Sequence, residues 1–492
     1  MCTSLLAIMS FLALQEGEPP ASGGKIRGKP PAQSDVDALR KELEEVRKEV
    51  ERLKQPADRV GPDLSLQKPS KPGQTPEEKK KLEEEFRKAL GGEAPGPVGA
   101  ASQAQTQPVP GLRLIDIALD LLAAAGGSSV QEAELRDLEA GGHDPKNRGF
   151  TIQNVELTFS GIVDPYFRGD ANIVLQIDEN GDSTVELEEV YLTTLDLPYN
   201  LQLKAGQFFN GFGRMNPIHP HAWEFVDQPV VNSRFMGPDG LRNPGTQLSW
   251  LTPLPFFAEV IGSVQNAQGE TAPSFRGAAG ETVAGRPLVD PGVRSLADML
   301  YLVRLRTSFD PSDELTIVPG ASALFGPNAT GSDTRTQVYG ADLYAKWKPL
   351  TNDKGFPFLS WQTEVMVRRY EAGPVFDAGT EVEGREVLGD WGFYSQAVWG
   401  FERPWSLGLR YDHARGEEVS FSSPGVSYAS SADSFQDRRS RGSAALTYYP
   451  SEFSKIRLQY SYDRAQFLIE EDAHSIYLQV EIMFGAHGAH KF

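Results

Sequence analysis

The sequence predicts an all-β chain: an antiparallel transmembrane β-barrel of about 16 strands, preceded by a short N-terminal coiled-coil helix and a linker. Three observations carry this. From residue 112 onward, apolar and polar residues alternate with a period of two, the signature of a strand with two unlike faces. Such segments recur between residues 112 and 484. The connections between them are mostly short on one side and long on the other, as in barrels with periplasmic turns and external loops.

The alternation is clearest near the C-terminus. IRLQYSYD (456–463) sets Ile456, Leu458, Tyr460 and Tyr462 against Arg457, Gln459, Ser461 and Asp463. IYLQVEIMF (476–484) sets Ile476, Leu478, Val480, Ile482 and Phe484 against Tyr477, Gln479, Glu481 and Met483. In hydrocarbon every backbone N–H and C=O must be paired, so a spanning sheet has to close on itself. The apolar face then meets lipid and the polar face a wet lumen. Trp347, Trp405, Tyr448 and Tyr449, near segment ends, are expected in interfacial girdles. Short connections carry turn chemistry: VDP at 163–165, DLPYN at 196–200, TPLP at 252–255, ERP at 402–404. The long ones are 124–149, 209–243, 265–296, 325–335, 372–387 and 416–438. An even strand number puts both ends of the barrel on the short-turn, periplasmic side.

The preceding residues read differently. MCTSLLAIMSFLALQ (1–15) has the apolar run of a secretory signal peptide. Residues 35–55 space Val36, Leu39, Leu43, Val46, Val50 and Leu53 as the seam of a coiled coil. Residues 56–110 form a Pro-rich, charged linker with one short helical segment, and residues 112–492 the barrel. The expected location is the outer membrane of a Gram-negative-type cell, with the coiled coil in the periplasm. The net charge of −19 argues against nucleic acid as a partner. The single cysteine, Cys2, excludes a disulfide within the chain.

GRMNPIHPHAWEFVDQP (213–229) concentrates unusual chemistry, with two of the seven histidines in three residues. It lies in the long connection 209–243. Arg214, His219, His221, Trp223, Asp227, Arg234 and Arg242 are expected in a loop that folds inward and narrows the lumen. Trp223, Phe225 and Phe235 would pack on the wall, while Arg214, Asp227, Arg234 and Arg242 face water. A metal reading groups His219, His221 and Asp227 around zinc, because Pro220 favours the extended backbone that sets both imidazoles on one side. No other cofactor is expected. Lumen-facing charges are expected at Arg304, Arg306, Glu364, Arg368, Arg410, Asp412, Arg457, Asp463 and Glu481, with Glu156 on the same polar face. His487 and His490 lie in the C-terminal tail. DENGDSTVELEE (178–189) resembles a calcium loop, but Gly181 is at position four rather than six, so it reads as a hairpin turn. No GxSxG, HExxH or phosphate-cradling loop occurs, and an enzyme is not expected.

LKAGQFFNGFGRMNP (203–217) is similar to the glycine–phenylalanine–glycine region of the phosphate-selective porin O and P family. The stretch from Gly213 to Gly245, with GFTIQNVELTFSGIVDPYFRGDANIV (149–174) and the ending GAHGAHKF, resembles a related group often labelled zinc-regulated TonB-dependent outer-membrane receptors. The resemblance spans roughly residues 112 to 492. It implies an outer-membrane barrel in contact with lipid, delivered by the barrel-assembly machinery and trimeric as porins of this size commonly are. An energised receptor would need a 22-stranded, plugged barrel. No plug-sized domain precedes the strands, which favours a passive channel for small hydrophilic solutes or ions. A TonB-dependent or zinc-responsive receptor, and a structural envelope tether without conductance, are the alternatives.

Overall fold

The computed structural model describes residues 115–177, 181–278, 281–283, 286–288, 292–377, 380–416 and 437–485. The expected leader (1–15), coiled coil (35–55) and linker (56–110) lie outside the described residues, as do His487, His490 and Phe492.

Sixteen strands build one closed antiparallel barrel. They are β1 (Asp116–Ser128), β2 (Gly149–Ile162), β3 (Phe167–Ile177), β4 (Ser183–Thr194), β5 (Leu201–Phe209), β6 (Arg242–Leu251), β7 (Ala258–Gln265) and β8 (Leu300–Thr307). There follow β9 (Leu315–Pro327), β10 (Arg335–Trp347), β11 (Phe358–Ala372), β12 (Glu386–Glu402), β13 (Trp405–Gly416), β14 (Arg439–Ser451), β15 (Ser454–Ala465) and β16 (Asp472–Gly485). A short strand, Phe309–Ser312, continues the pairing of β8 with β9. The barrel closes where β1 pairs with β16, from Ala118 opposite Gly485 to Ser128 opposite Ser475. Closure leaves no sheet edge, so the ladder satisfies the backbone without help from solvent.

The period-two pattern decides which residues face lipid. On β15, Ile456, Leu458, Tyr460 and Tyr462 are exposed on the outside, while Arg457, Gln459, Ser461 and Asp463 are buried inside. On β11, Leu359, Trp361, Val365 and Val367 face out and Ser360, Gln362, Glu364 and Arg368 face in. An exterior this apolar fits a lipid surround, as in transmembrane barrels. Trp347, Trp405 and Tyr448 sit at the short-turn end on the outer face, and the rings of Trp405 and Tyr448 lie 4.8 Å apart. Tyr449 departs from the expected girdle. It follows inward-facing Thr447 by two residues, and its phenol oxygen accepts a 3.4 Å hydrogen bond from Ser406.

Three differences from the sequence reading have local causes. The first strand, expected to end at 123, runs on to Ser128. Ala123, Ala124, Ala125, Gly126 and Gly127 carry no strand propensity, but pairing with both β2 and β16 fixes them. The long connection is shorter than 209–243, because Arg242 and Asn243 already pair with Phe209 and Phe208. Two seven-residue helices lie in loops: α1 (Glu132–Leu138) between β1 and β2, and α2 (Val230–Met236) between β5 and β6. Each is too short to show helical periodicity.

Leu458 faces out near the middle of β15. Leu458→Arg is expected to destabilise the barrel in lipid vesicles by about 2–4 kcal/mol. Denaturant unfolding of the reconstituted protein checks this, and an unchanged midpoint would contradict an outward, lipid-facing position.

Candidate functional site

The connection from β5 to β6, residues 210–241, folds into the barrel and is tied to the wall almost all the way round. Its backbone N–H groups are claimed by inward side chains. Gly213 N–H donates to Ser322 of β9 at 3.1 Å, and Arg214 and Met215 N–H donate to Glu364 of β11 at 3.0 and 2.6 Å. Val226 N–H donates to Gln459 of β15 at 2.8 Å, and Val230 N–H to Asp412 of β13 at 3.0 Å. A loop cannot make ladder hydrogen bonds, so burying one requires the wall to supply acceptors. Gly213 has φ +60°, a left-handed conformation, and an added Cβ would meet Glu364 Oε2 at 2.2 Å.

The loop also carries an apolar half. Phe212, Met215, Trp223, Val231, Phe235 and Met236 join Leu302, Leu324, Val338, Met366 and Tyr394 of the wall in one buried cluster. Wall glycines make room for it. An added Cβ at Gly340 would come within 2.6 Å of the Phe212 ring, one at Gly392 within 2.9 Å of Val231, and one at Gly408 within 3.1 Å of the Phe225 ring. Each fully buried Phe contributes roughly 1.5–3 kcal/mol to holding the loop. The lumen at this level is therefore packed, where the alternation alone predicted water.

Two polar clusters fix the loop between them. In the first, Asp227 is held by two wall arginines. Its carboxylate lies 3.0 Å from Arg410 Nη2 and accepts a hydrogen bond from Arg441 Nη1, with a further bond of 2.6 Å from Gln459. Arg441 also pairs with Asp463 at 2.9 Å and with Glu139, beside α1, at 2.8 Å. Arg410 pairs with Asp412 at 2.7 Å. Burial alone would raise the Asp227 carboxyl. Arg410 and Arg441 overcome that and set it at about 2. Nearby, Arg234 of α2 reaches Asp390 at 3.1 Å.

The second cluster surrounds the histidines. His219 Nε2 lies 2.9 Å from Glu189 Oε2, and His219 Nδ1 lies 3.0 Å from Glu188 Oε2 and 3.1 Å from Glu156 Oε1. His221 Nδ1 lies 3.1 Å from Glu156 Oε2. The two rings are 5.7 Å apart and tilted by 32°, but a 3₁₀ turn over Pro220–Ala222 brings them together and not the extended backbone expected at Pro220. Burial would lower both imidazoles. For His219 the charges of Glu156 and Glu188 outweigh it and hold the ring well above its usual value; for His221, Glu156 raises it. The carboxylates owe their density to a β-bulge. Asn172 pairs with Glu189 but Ile173 with Leu187, which leaves Glu188 as the extra residue and buries both glutamates. A bulge between β1 and β2 likewise buries both Gln153 and Asn154.

The structure brings together part of what the sequence grouped. His219 and His221 are adjacent, but Asp227 is not among their partners. It is bound to arginines on β13 and β14, so the expected His219–His221–Asp227 set is corrected to His219 and His221 with Glu156. Those three offer ligand atoms that all lie within 4.8 Å of one another. Asp227, Arg234 and Arg242, expected to face water, are buried, because ion pairing inside a packed barrel replaces hydration. Arg214 is half-buried, with its guanidinium 3.8 Å above the Tyr344 ring. Trp223 is buried, and its indole N–H donates to Ile218 O at 2.9 Å. Arg304, Glu364, Arg368, Arg410, Asp412, Arg457, Asp463 and Glu481 face inward as expected, but are buried in ion pairs or under the loop. Arg306 is inward and 41% exposed.

Some contributors went unrecognised. Arg439 and Arg441 lie four and two residues before Ser443 on its inward face, so extending the alternation to the start of β14 finds them. Glu188 and Glu189 do not follow from periodicity, since a bulge breaks it. His143, between β1 and β2, is buried 3.9 Å from Glu188 Oε1.

The fold and the loop define a closed 16-stranded barrel with an inwardly folded, charge-anchored loop. No family model matches the chain. It belongs to the same family as an uncharacterized protein of Aquifex aeolicus (strain VF5), to which it is 34% identical over 409 residues, 77% of this chain and 80% of the relative. Solved structures similar in fold include the outer membrane channel DcaP of Acinetobacter baumannii, at 12% identity and a TM-score of 0.47 over 75% of this chain and 97% of that one. An anion-selective porin from Comamonas acidovorans matches at 8% identity and a TM-score of 0.44, over 75% and 98% of the two chains.

Asp227→Asn leaves two buried arginines short of one charge and is expected to cost about 3–5 kcal/mol. Limited proteolysis within 210–241 together with thermal unfolding reads this out, and wild-type protease resistance would contradict the anchoring. The carboxyl value of about 2 lies below the ordinary ~3.9. Its stabilisation is therefore complete above about pH 4 and is lost as pH falls through about 2. The loop of the wild type should become protease-sensitive in that window before the strands unfold.

Proposed function

We propose that this protein is a passive outer-membrane channel for small hydrophilic solutes or ions, with residues 210–241 as its constriction. The observation that carries the reading is the inward loop, held by hydrogen bonds from β9, β11, β13 and β15 inside a lipid-compatible barrel. A barrel of this strand number is wide enough for an aqueous channel. On the short-turn side of the loop, inward groups such as Arg168, Lys204, Gln247, Glu259, Arg306 and Lys346 keep part of their surface exposed, which suits a hydrated vestibule.

The interior charge is divided. Asp120, Glu156, Glu188, Glu189 and Glu481 lie on β1, β2, β4 and β16, whereas Arg410, Arg439, Arg441 and Arg457 lie on β13 to β15. These are neighbouring arcs of the wall, since β15 pairs with β16 and β16 with β1, and charge segregated in this way creates a field in the lumen that favours polar or charged solutes. The resemblance of 203–217 to the phosphate-selective porin O and P family supports the same reading. Phosphate selectivity itself finds little support, because most inward arginines are already paired with carboxylates. A TonB-dependent receptor is disfavoured by size, since such barrels have 22 strands and a separate plug.

Reconstitution in planar bilayers tests the proposal. The wild type should give stable, energy-independent conductance steps. A variant with residues 217–236 replaced by a short Gly-Ser linker should give larger steps, because the obstruction is removed. Silent bilayers for both proteins would favour the tether, and equal steps would contradict the loop as constriction.

A further inference from the structure

We propose that His219, His221 and Glu156, with Glu188 at the edge of the set, bind a divalent transition-metal ion of the zinc class, clamping the inward loop to the barrel wall.

The geometry of the cluster suits a cation held between loop and wall. Glu189 Oε2 lies 2.9 Å from His219 Nε2, and an ionised carboxylate only accepts, so Nε2 carries the proton. With an ion bound, that arrangement fixes the tautomer and turns the Nδ1 lone pair toward the metal. This is the carboxylate–histidine arrangement that orients metal-ligating imidazoles. Nδ1 faces two carboxylate oxygens, Glu188 Oε2 at 3.0 Å and Glu156 Oε1 at 3.1 Å, and Glu188 is 1% exposed. Glu156, His219 and His221 each offer a ligand atom, all within 4.8 Å of one another. Metal–ligand bonds of 2.0–2.2 Å in tetrahedral array place ligand atoms roughly 3.3 Å apart, close to these separations.

The charge balance agrees. Glu156, Glu188 and Glu189 set three carboxylates around two imidazoles. Lys455 is taken by Glu481 at 2.6 Å. Mixed imidazole and carboxylate donors suit zinc, cobalt or nickel better than calcium or magnesium. The histidines are half-buried rather than sealed, so an ion can enter from the lumen. Both imidazoles belong to the loop and both first-rank carboxylates to β2 and β4, so a bound ion cross-links loop and wall.

The test uses the full-length protein in detergent, stripped with chelator and titrated with Zn²⁺ and with Co²⁺ as a spectroscopic reporter. One ion per chain is expected, with visible Co²⁺ bands of low-symmetry nitrogen and oxygen coordination. His219→Ala/His221→Ala should abolish the bands. Glu189→Gln, which removes only the orienting carboxylate, should weaken binding about 10–100-fold. Outward-facing His413→Ala, and the tail variant His487→Ala/His490→Ala, should bind as wild type. Circular dichroism confirms that each variant is folded. The proposal is overturned if wild type binds no ion, or if binding survives the loop variant and disappears with the tail variant. Binding is read without current, so its failure and the failure of the channel reading are separate results.

Discussion

A charge carried into a closed barrel must find its partner there, and the rest of this structure follows from that constraint. Asp227 enters on a loop and lands between Arg410 and Arg441. Without those arginines its burial would cost several kcal/mol. With them, the loop becomes part of the wall. Arg441 is itself shared with Asp463 and Glu139, so the loop, two strands and the α1 connection meet on one guanidinium. A planar guanidinium with five donors in a fixed fork suits this work better than lysine, whose three donors crowd on one compact ammonium.

The sheet is modified to receive the loop. Glycines at 340, 392 and 408 are hollows for Phe212, Val231 and Phe225. Two bulges change which residues face inward, and one of them delivers Glu188 and Glu189 together beside His219. These features cost the strands regularity, and each is matched by a loop contact. The two bulges at Leu122/Ala123 and Asn172/Ile173 lie where the loop docks, which fits a functional arrangement there.

The fold was legible in the sequence because lipid on one side and polar surroundings on the other impose a strict period of two. Every named inward charge, from Arg304 to Glu481, does face inward. The wetness of their surroundings was not legible. Whether Asp412 meets water or the Val230 N–H depends on a loop nearly two hundred positions away in sequence, and no local pattern encodes that. That His219 and His221 lie together could be read from their spacing, though a 3₁₀ turn over Pro220–Ala222 and not an extended backbone brings them there. Their carboxylate partners could not, because a bulge hides Glu188 and Glu189 from periodicity. The assignment of Asp227 to zinc failed because sequence proximity suggested histidine, whereas the loop carries Asp227 to Arg410 and Arg441 on β13 and β14.

The resulting picture is a barrel whose interior is divided by one loop, pinned at one side by arginine–carboxylate pairs and at the other by histidine–glutamate contacts. Amide hydrogen exchange on the reconstituted protein tests it most directly. The N–H groups of Gly213, Met215, Val226 and Val230 should be protected to the degree of barrel-strand amides, because each is bonded to a buried wall side chain. Exchange as rapid as that of exposed connections such as Asp353 to Gly355 would mean that the loop does not rest inside the barrel, and the account would be wrong.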